Sequence, residues 1–404
     1  MKMKKVLAVL LVVAVVAALC AVFVGCNDKT DDIKIGLICL HDENSTYDKN
    51  FIDAMKEAQK ALGLKDEQVV IATGIPEGDE CYQKACELAD DGCNIIFADS
   101  FGHEDYIIKA AKKYPDVQFC HATGTKAHTE GVANHHNAFA SIYEGRYLAG
   151  IAAGMKLNAM IEAGEFTAAE AKMGYVGAYT YAEVISGYTS FYLGAKSVCP
   201  SVTMDVTFTG SWYNETDENN AAKSLIAGGC KLISQHADSM GAPNACEEAG
   251  VPNVSYNGST KAACPNTFIV SSRINWAPYY EYVVKCVMDN KTIAADWTGT
   301  LATESVLLTE VNTTAAAAGT QAAIDAAKAK LMDGSLKVFD VTKDNYITVN
   351  GAKLTTYMAD VNTDAAFTPD TEAIENGAFM ESSKRSAPYF DVKIDGIKLL
   401  DTKF

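Results

Sequence analysis

The sequence predicts an α/β protein made of two lobes, each built on a doubly wound parallel sheet. Short apolar runs alternate with segments of helical periodicity, which is the pattern of parallel strands joined by crossover helices. This alternation occurs in residues 33–133 and again in residues 134–269. Polar and aromatic clusters follow the strand-like runs in both halves. Because ligands bind at the carboxyl ends of such strands, these clusters are expected to face one cleft between the lobes.

The first strand–helix unit, residues 33–63, shows the pattern most clearly. Residues 33–40 are mostly apolar, as in a strand buried on both faces of a sheet. Apolar residues then recur at helical spacing until Gly63, which is typical of a helix C-cap. The loop between them, 41–50, contains acids, hydroxyls, an amide and one aromatic ring, and it lacks the glycines of a phosphate-binding loop. It favours a neutral ligand with hydrogen-bond donors and a flat face; the alternative is a solvated turn that only caps the helix.

The other elements follow in the same order. In the first lobe we predict strands at 69–72, 94–98 and 117–120, with helices at 79–89 and 106–113. After a small-residue-rich helix at 143–156, we predict strands at 173–177, 203–207, 232–235 and 254–258, with helices at 182–196 and 219–227. The segments at about 270–300 and 301–345 are interpreted as returns to the first and second lobe, and 346–404 as a C-terminal extension.

Composition excludes several partners and sites. The formal net charge is −17, so nucleic acid and anionic lipid head groups are not expected as partners. The 12 cysteines include no C-x-x-C pair, which argues against a metal site. The cysteines beyond Cys26 are expected to be free thiols in the core, with one or two disulfides as the alternative. No cofactor is expected.

Residues 1–25 are predicted to be a signal peptide. Lysines precede an apolar run from Val6 to Val24, as in secretory signals. Residues 23–26, Phe-Val-Gly-Cys, resemble the lipobox at which bacterial signal peptidases cut before a cysteine that is then lipidated. We therefore expect a lipid anchor on Cys26, a linker at 26–32, and lobes that lie outside the cytoplasm at the cell membrane. The alternative is a plain membrane-spanning anchor.

Several short motifs, taken together, resemble those of the basic membrane protein family, the lipid-anchored nucleoside receptors of ABC importers. They are Ser-Thr-Tyr-Asp at 45–48, against the family's Asp-x-Ser-Phe-Asn; Glu-Gly-Arg-Tyr-Leu-Ala-Gly at 144–150, against its EG-x-YLAG helix; Tyr-Val-Gly at 175–177 with Gly-Ala-Lys at 194–196; and Gly-Ser-Trp at 210–212. The resemblance extends from about Ile33 to Trp297. It implies the type I periplasmic-binding-protein fold, in which crossovers join two doubly wound lobes.

The resemblance also implies a function. In that family a purine nucleoside lies in the interlobe cleft, with its base between aromatic rings and its ribose against polar groups. The same role here would be capture of a nucleoside by lobe closure and delivery to an ABC permease. Tyr47 matches the stacking Phe, Asp48 replaces the usual Asn, and Asn275 falls roughly where the family often has a ribose-contacting Lys. We assign Asp48 to donors on the base edge and Asp238 to the ribose hydroxyls.

The candidate ligand-binding residues are the polar and aromatic side chains of these loops: Asp42, Thr46, Tyr47, Asp48, Phe101, His103, Trp212, Asn214, Asp238, Asn257, Arg273 and Asn275. Some have alternative roles. Phe101 and His103 suit the start of a helix, and Asp238 could be a helix cap. Arg273 could pair with Glu183 instead of reaching a ligand.

No catalytic residue is predicted, because the sequence has no G-x-S-x-G, H-E-x-x-H or P-loop motif. The nearest enzyme alternative is a calcium-dependent nucleoside hydrolase, but the closely spaced aspartates of that family are missing. A receptor for a sugar-like or signalling ligand on the same scaffold is the other alternative. We expect the protein to be a monomer that binds no metal.

Overall fold

The computed structural model describes Thr30, residues 32–362 and residues 368–403. The expected signal peptide and the expected lipidation site, Cys26, lie outside the described residues. Within that part of the chain, no helix is both long enough and apolar enough to cross a bilayer.

Helices and strands alternate through most of the described chain. The helices are α1 (Thr46–Leu62), α2 (Asp79–Asp90), α3 (Glu104–Lys113), α4 (Ile142–Glu162), α5 (Ala182–Val198), α6 (Glu215–Ala227), α7 (Gly241–Ala249), α8 (Ala277–Met288) and α9 (Thr320–Met332). The strands are β1 (Ile35–Ile38), β2 (Val69–Ala72), β3 (Ile95–Ala98), β4 (Gln118–Ala122), β5 (His135–Ala140), β6 (Lys172–Gly177), β7 (Thr203–Phe208), β8 (Leu232–His236), β9 (Asn253–Tyr256), β10 (Phe268–Ile274), β11 (Asp296–Gly299), β12 (Val306–Leu308), β13 (Thr348–Val349), β14 (Ala352–Lys353), β15 (Met358–Ala359), β16 (Thr371–Glu372), β17 (Ile374–Glu375), β18 (Ala378–Phe379) and β19 (Ile397–Leu399).

Two large sheets form the cores of the two lobes. The first has the strand order β11-β5-β4-β3-β1-β2, and the second has the order β12-β10-β9-β8-β6-β7-β19. Neighbouring strands are parallel except β12, which is antiparallel to β10. Helices cover these sheets, so the predicted two-lobed, doubly wound α/β fold is confirmed.

Between β1 and β12 the chain passes three times from one large sheet to the other. It leaves the first sheet after β5, returns after β10 through α8 to β11, and leaves again for β12. The first sheet thus includes β5, at 135–140, beyond the position 133 where the sequence placed the end of the first lobe. Strand β10 lies in the second sheet, although 270–300 was expected to return to the first. β5 and β10 are each the last strand before the chain crosses to the other lobe, and sequence periodicity does not show on which side of a crossover a strand lies.

Local sequence explains the helix that leads into the cleft. Ser45 caps α1, because its hydroxyl accepts a hydrogen bond from the Asp48 N–H. Gly63 ends the helix in the left-handed conformation, with a φ of 70°. In the second lobe, α4 and α5 approach so closely that a β-carbon on Gly150 would lie 2.0 Å from the carbonyl oxygen of Phe191. The small residues predicted to allow close packing therefore do so.

The C-terminal extension contacts both lobes. Strand β19 pairs with β7 and so belongs to the second sheet. Ser386 donates hydrogen bonds to the Asp296 carboxylate of β11 from its N–H (2.8 Å) and its hydroxyl (2.7 Å). The cysteines of the described chain are buried and free, as the sequence predicted.

Candidate functional site

A cavity lies between the lobes at the carboxyl ends of their strands. Its volume, counted as the space that the centre of a water molecule reaches, is only about 20 Å³. The lining residues are Leu40, His41, Tyr47, Asp48, Ser100, Phe101 and Thr123 from the first lobe and Glu183, Trp212, His236, Asp238 and Tyr256 from the second. The lobes must therefore open before a larger molecule can enter.

Tyr47 lies in the wall of the first lobe, on the first turn of α1. Its hydroxyl donates to the backbone carbonyl of Asp99 (2.7 Å). The edge-on contact of its ring with Phe51 has a centroid distance of 4.9 Å. These contacts fix the orientation of the ring, so Tyr47 offers a pre-organised aromatic surface to the cavity.

Asp48 also lines the cavity, but its carboxylate already holds the loop before α1. One oxygen accepts from the His41 N–H (2.8 Å) and the other from the Ser45 hydroxyl (2.6 Å). Burial raises the pKa of Asp48, but these hydrogen bonds outweigh burial and lower the pKa overall. Asp48 is therefore an ionised residue that positions the loop.

Asp99 lies behind Asp48, at the end of β3. Burial and the neighbouring Asp48 charge raise the pKa of Asp99 well above its ordinary value. The opposite shifts make Asp99 the group of this pair that keeps its proton more readily. The Cys39 sulfur lies close to the same group, with its ligand atom and the two carboxylate oxygens all within 4.8 Å of one another. Three such atoms are one short of a tetrahedral metal site.

Asp238 is the unpaired acid of the cavity. It is 4% exposed, and no side-chain hydrogen bond or ion pair satisfies its carboxyl within the described residues. Burial raises the pKa of Asp238 well above its ordinary value, and the charges of Asp48, Glu218 and Glu183 raise it further. The backbone N–H of Asp238 donates to the Trp212 carbonyl (2.9 Å). A buried carboxyl without a partner is costly unless a ligand supplies donors.

His236 and Glu183 form a pair on the floor of the second lobe. Nε2 of His236 lies 3.2 Å from Oε1 of Glu183, and the His236 ring packs on Tyr256 at a centroid distance of 4.3 Å. Burial lowers the pKa of His236 and outweighs the opposite effect of Glu183. His236 is therefore neutral, with the proton on Nε2, and this N–H donates a hydrogen bond to the Glu183 carboxylate.

Aromatic rings from both lobes form the rim of the cleft. Phe101 of the first lobe meets Tyr181 of the second at a centroid distance of 5.3 Å. Tyr181 stacks on Tyr179 (5.0 Å), and Tyr179 meets the edge of Trp212 (5.1 Å). Trp212 of the second lobe and Tyr47 of the first both line the cavity, so each lobe offers an aromatic ring to a flat ligand.

Hydrogen bonds also join the lobes beside the cavity. The Thr46 N–H and hydroxyl both donate to the backbone carbonyl of Asp238, at 3.0 and 3.2 Å. The buried Asn50 amide donates to the Asn257 side-chain oxygen (2.9 Å). Thr46 and Asn257, which the sequence assigned to the ligand, thus contact the opposite lobe in this closed arrangement.

The other predicted residues lie outside the cavity wall. Asp42 is exposed and accepts from Asn44 within its own turn (2.9 Å). His103 is buried against the Ile75 carbonyl (2.9 Å). Asn214 caps α6, because its side chain accepts from the Asp217 N–H.

Arg273 and Asn275 lie near the third crossover. Arg273 is on β10, paired with Leu307 of β12. The Asn275 oxygen accepts from the Ala277 N–H (3.2 Å), at the start of α8. Glu183, which the sequence offered as an alternative partner for Arg273, contacts His236.

Of the predicted residues, Tyr47, Asp48, Phe101, Trp212 and Asp238 line the cavity. Sequence reasoning missed the His236–Glu183 pair and Tyr256. His236 is the last residue of β8 and Tyr256 the last of β9, so strand ends alone could have indicated them. Glu183 lies in the first turn of α5, a position where acidic residues are common because they interact favourably with the helix dipole.

The charge of the cavity limits what it can hold. Among the described residues that line it, none is Lys or Arg, while Asp48, Glu183 and Asp238 are acids. An anion such as a phosphate or carboxylate would meet like charge without a counterion. The arrangement instead suits a neutral or cationic ligand with hydrogen-bond donors and an aromatic ring.

Comparisons with known proteins agree with this arrangement. The family model described as ABC transporter substrate-binding protein PnrA-like matches residues 35–338. A purine-binding protein of Brucella abortus (strain 2308) is 33% identical over 269 residues, which are 66% of this chain and 71% of the relative. A putative ABC transporter glucose-binding protein of Haloferax volcanii is 32% identical over 194 residues, which are 48% of this chain and 46% of the relative.

Solved structures show the same fold. A solute-binding protein of an ABC transporter from Aeropyrum pernix K1 superimposes with a TM-score of 0.64, covering 76% of this chain and 93% of that chain, at 16% identity. At that identity the likeness supports the two-lobed architecture and says nothing of the ligand.

Proposed function

Since the chain belongs to the PnrA-like family of ABC transporter substrate-binding proteins, we propose that it captures a purine nucleoside outside the cytoplasm and passes it to a membrane permease. The proposal includes a lipid anchor on Cys26, for which the lipobox-like residues 23–26 are the support. It also treats the protein as a monomer, because a binding protein of this type closes its own two lobes around the ligand.

The observation that carries the proposal is the unpaired carboxyl of Asp238 in a cavity bounded by aromatic rings. Tyr47 and Trp212 provide flat surfaces for a base. The Asp238 carboxyl can accept hydrogen bonds from two vicinal hydroxyls, as a ribose would offer. A nucleoside supplies both features in one molecule, whereas a free base lacks the hydroxyls.

The remaining polar groups refine the assignment of roles. Because Asp48 is committed to His41 and Ser45, its role is to hold the loop that presents Tyr47. Glu183 accepts from His236 through one oxygen, which leaves its other oxygen for a donor on the ligand. We therefore propose Asp238 and Glu183 as the acceptors for the ligand.

A sugar is the second candidate, because the Haloferax volcanii relative is named as a putative glucose-binding protein. Sugar hydroxyls would also satisfy Asp238 and Glu183. Aromatic rings stack on sugars as well as on bases, so the aromatic rim does not distinguish a sugar ligand from a nucleoside. Measured affinities for the two kinds of ligand do distinguish them.

The test is to identify and rank the ligand. Mass spectrometry of small molecules released from the purified, denatured protein should detect a purine nucleoside. Calorimetric titration should rank adenosine, guanosine or inosine above glucose, and the corresponding monophosphates should bind weakly because no described residue that lines the cavity is Lys or Arg. Tightest binding by glucose, or by a monophosphate, would overturn the proposal.

A matched pair of variants locates the site. A hydrogen bond is worth about 0.5–1.5 kcal/mol, so the loss of two in Asp238→Ala should weaken nucleoside binding by about 5–150-fold. A 2′,3′-dideoxynucleoside, which lacks both donors, should lose little. Asp53→Ala removes a half-exposed carboxylate of α1 and should leave both affinities unchanged. If Asp238→Ala weakens the ribonucleoside and the dideoxynucleoside equally, Asp238 does not bind the ribose hydroxyls.

A further inference from the structure

Arg146 is a buried cation without an anionic partner. Its side chain is 0% exposed, on helix α4 in the core of the second lobe. The guanidinium donates to the Tyr175 hydroxyl (2.6 Å) and the Ser234 hydroxyl (3.1 Å), and to two carbonyls at 3.4 Å. Each of these acceptors is neutral, and no carboxylate pairs with Arg146 in the described part of the chain.

Aromatic rings connect Arg146 to the cavity. Its guanidinium carbon lies 5.1 Å from the ring centroid of Tyr256, which is a cation–π distance. The Tyr256 ring in turn packs on His236 at 4.3 Å. Tyr256 and His236 both line the cavity, so one continuous set of contacts leads from the buried charge to the ligand site.

A buried charge of this kind is expensive to keep. Desolvation of an ion costs several kcal/mol, which neutral hydrogen bonds repay only in part. An apolar side chain of similar size would fill the same space at lower cost. The positive charge of Arg146 is therefore expected to have a function, and the titratable groups of the cavity are the ones on which it can act.

We propose that Arg146 is a positioning residue for the ligand site: it fixes the Tyr256 ring under His236 and adds to the effect of burial that keeps His236 neutral, so that His236 does not become an ion-pair partner that occupies Glu183. The part that concerns the ligand depends on the proposed function. The part that concerns His236 does not.

The groups around His236 act in opposite directions. Burial is the largest effect and disfavours the charged imidazolium, Glu183 on α5 contacts Nε2 and favours it, and Arg146 on α4 adds a smaller opposing effect. Tyr256 of β9 packs on the ring, and Asp238 lies two residues further along the chain. The Nδ1 atom is buried without a hydrogen-bond partner among the described residues, which adds a desolvation cost to a proton there.

Loss of the charge should therefore change the protonation of His236. In Arg146→Gln the repulsion disappears while polar hydrogen bonding remains, so the pKa of His236 should rise. A protonated His236 would form an ion pair with Glu183 and neutralise it. Nucleoside affinity should then fall as the medium becomes acidic, at a higher pH than in the wild type.

The test combines a ligand-independent and a ligand-dependent measurement. NMR of the labelled His236 side chain gives its pKa in the wild type, in Arg146→Gln, in Arg146→Lys, which keeps the charge, and in Arg385→Gln. Arg385 is another buried arginine, bonded to backbone carbonyls in the C-terminal extension, and serves as the matched control. Only Arg146→Gln should raise the pKa of His236.

The second measurement is the pH profile of adenosine binding. Its acid limb should move to higher pH in Arg146→Gln and stay in place in Arg385→Gln. His236→Gln, which cannot be protonated, should remove that limb, and this variant keeps the proposal testable if Arg146→Gln fails to fold. An acid limb that persists unchanged in His236→Gln overturns the proposal.

The outcomes separate this inference from the proposed function. An unchanged pKa of His236 in a folded Arg146→Gln overturns the role of Arg146, whatever the ligand. A raised pKa together with no adenosine binding in the wild type would refute the nucleoside and leave the link between Arg146 and His236 standing.

Discussion

The hydrogen bond between Asn50 and Asn257 allows closure of the cleft to be tested without knowledge of the ligand. Asn50 lies on α1 of the first lobe, and Asn257 directly follows β9 of the second. Both side chains are buried, and the bond between them is 2.9 Å long. Because the two side chains lie on different lobes, opening would break the bond, and water would then hydrate both amides. Removing it should therefore favour opening.

The magnitude follows from the burial. In Asn50→Ala the closed form would bury the Asn257 amide oxygen without a partner, which costs about 1–3 kcal/mol. That free energy corresponds to about 5–150-fold in the ratio of closed to open molecules. Since the ligand binds the closed form, its apparent affinity should fall by up to the same factor. Asn257 is a poorer position to change, because its φ of 62° disfavours alanine.

Small-angle scattering of the ligand-free protein measures the effect, since open lobes give a larger radius of gyration. Calorimetry with the ligand gives the matching loss of affinity. Glu57→Ala, on the exposed face of the same helix, is the control for general effects on α1. If Asn50→Ala leaves both the radius and the affinity at wild-type values, the bond does not contribute to closure and the reasoning is refuted.

Three further predictions concern other parts of the molecule. Cys26→Ser should release the protein from the membrane fraction, because anchoring depends on acyl chains; fractionation after a high-salt wash that still finds it there would contradict the lipid anchor. Trp212→Ala should weaken nucleoside binding by about 5–150-fold, since stacking is worth roughly 1–3 kcal/mol per base, while Tyr47→Phe should have little effect on calorimetric affinity; the reverse order would exchange their roles. Burial raises the pKa of Asp238 in the folded state, so its contribution to stability falls as pH rises above the ordinary pKa of an aspartate; thermal unfolding of Asp238→Asn should therefore show a higher melting temperature than the wild type near neutral pH and the same one in acid.

The fold was predictable because its signal is local and repeated. Strands such as β1 and β3 are buried on both faces, so each appears in the sequence as a continuous apolar run. Gly63 ends α1 at the position that the sequence indicates. The assignment of strands to lobes was less accessible: β5 and β10 each precede a crossover, and the partner of a strand is decided by contacts far away in the chain.

The site was only partly predictable, for a related reason. Position after a strand brings Tyr47 and Asp238 to the cavity, as expected. It does not tell whether a polar side chain faces the ligand, its own loop or the opposite lobe. Asp48 turns to His41 and Ser45, while Thr46 reaches across to Asp238. These alternatives differ by a rotation of one side chain, which leaves no trace in residue spacing.

Asp238 connects closure with recognition, because its backbone and its side chain act in opposite senses. Its carbonyl accepts from the Thr46 N–H and hydroxyl of the other lobe, at 3.0 and 3.2 Å, and so stabilises the closed form. Its carboxyl is buried in the same closed form without a partner, which costs free energy. A ligand that donates to the carboxyl removes this cost, and it can do so only when the lobes are closed. The unpaired acid thus makes the empty closed form less stable than the liganded one, and that difference is the free energy with which the ligand drives closure.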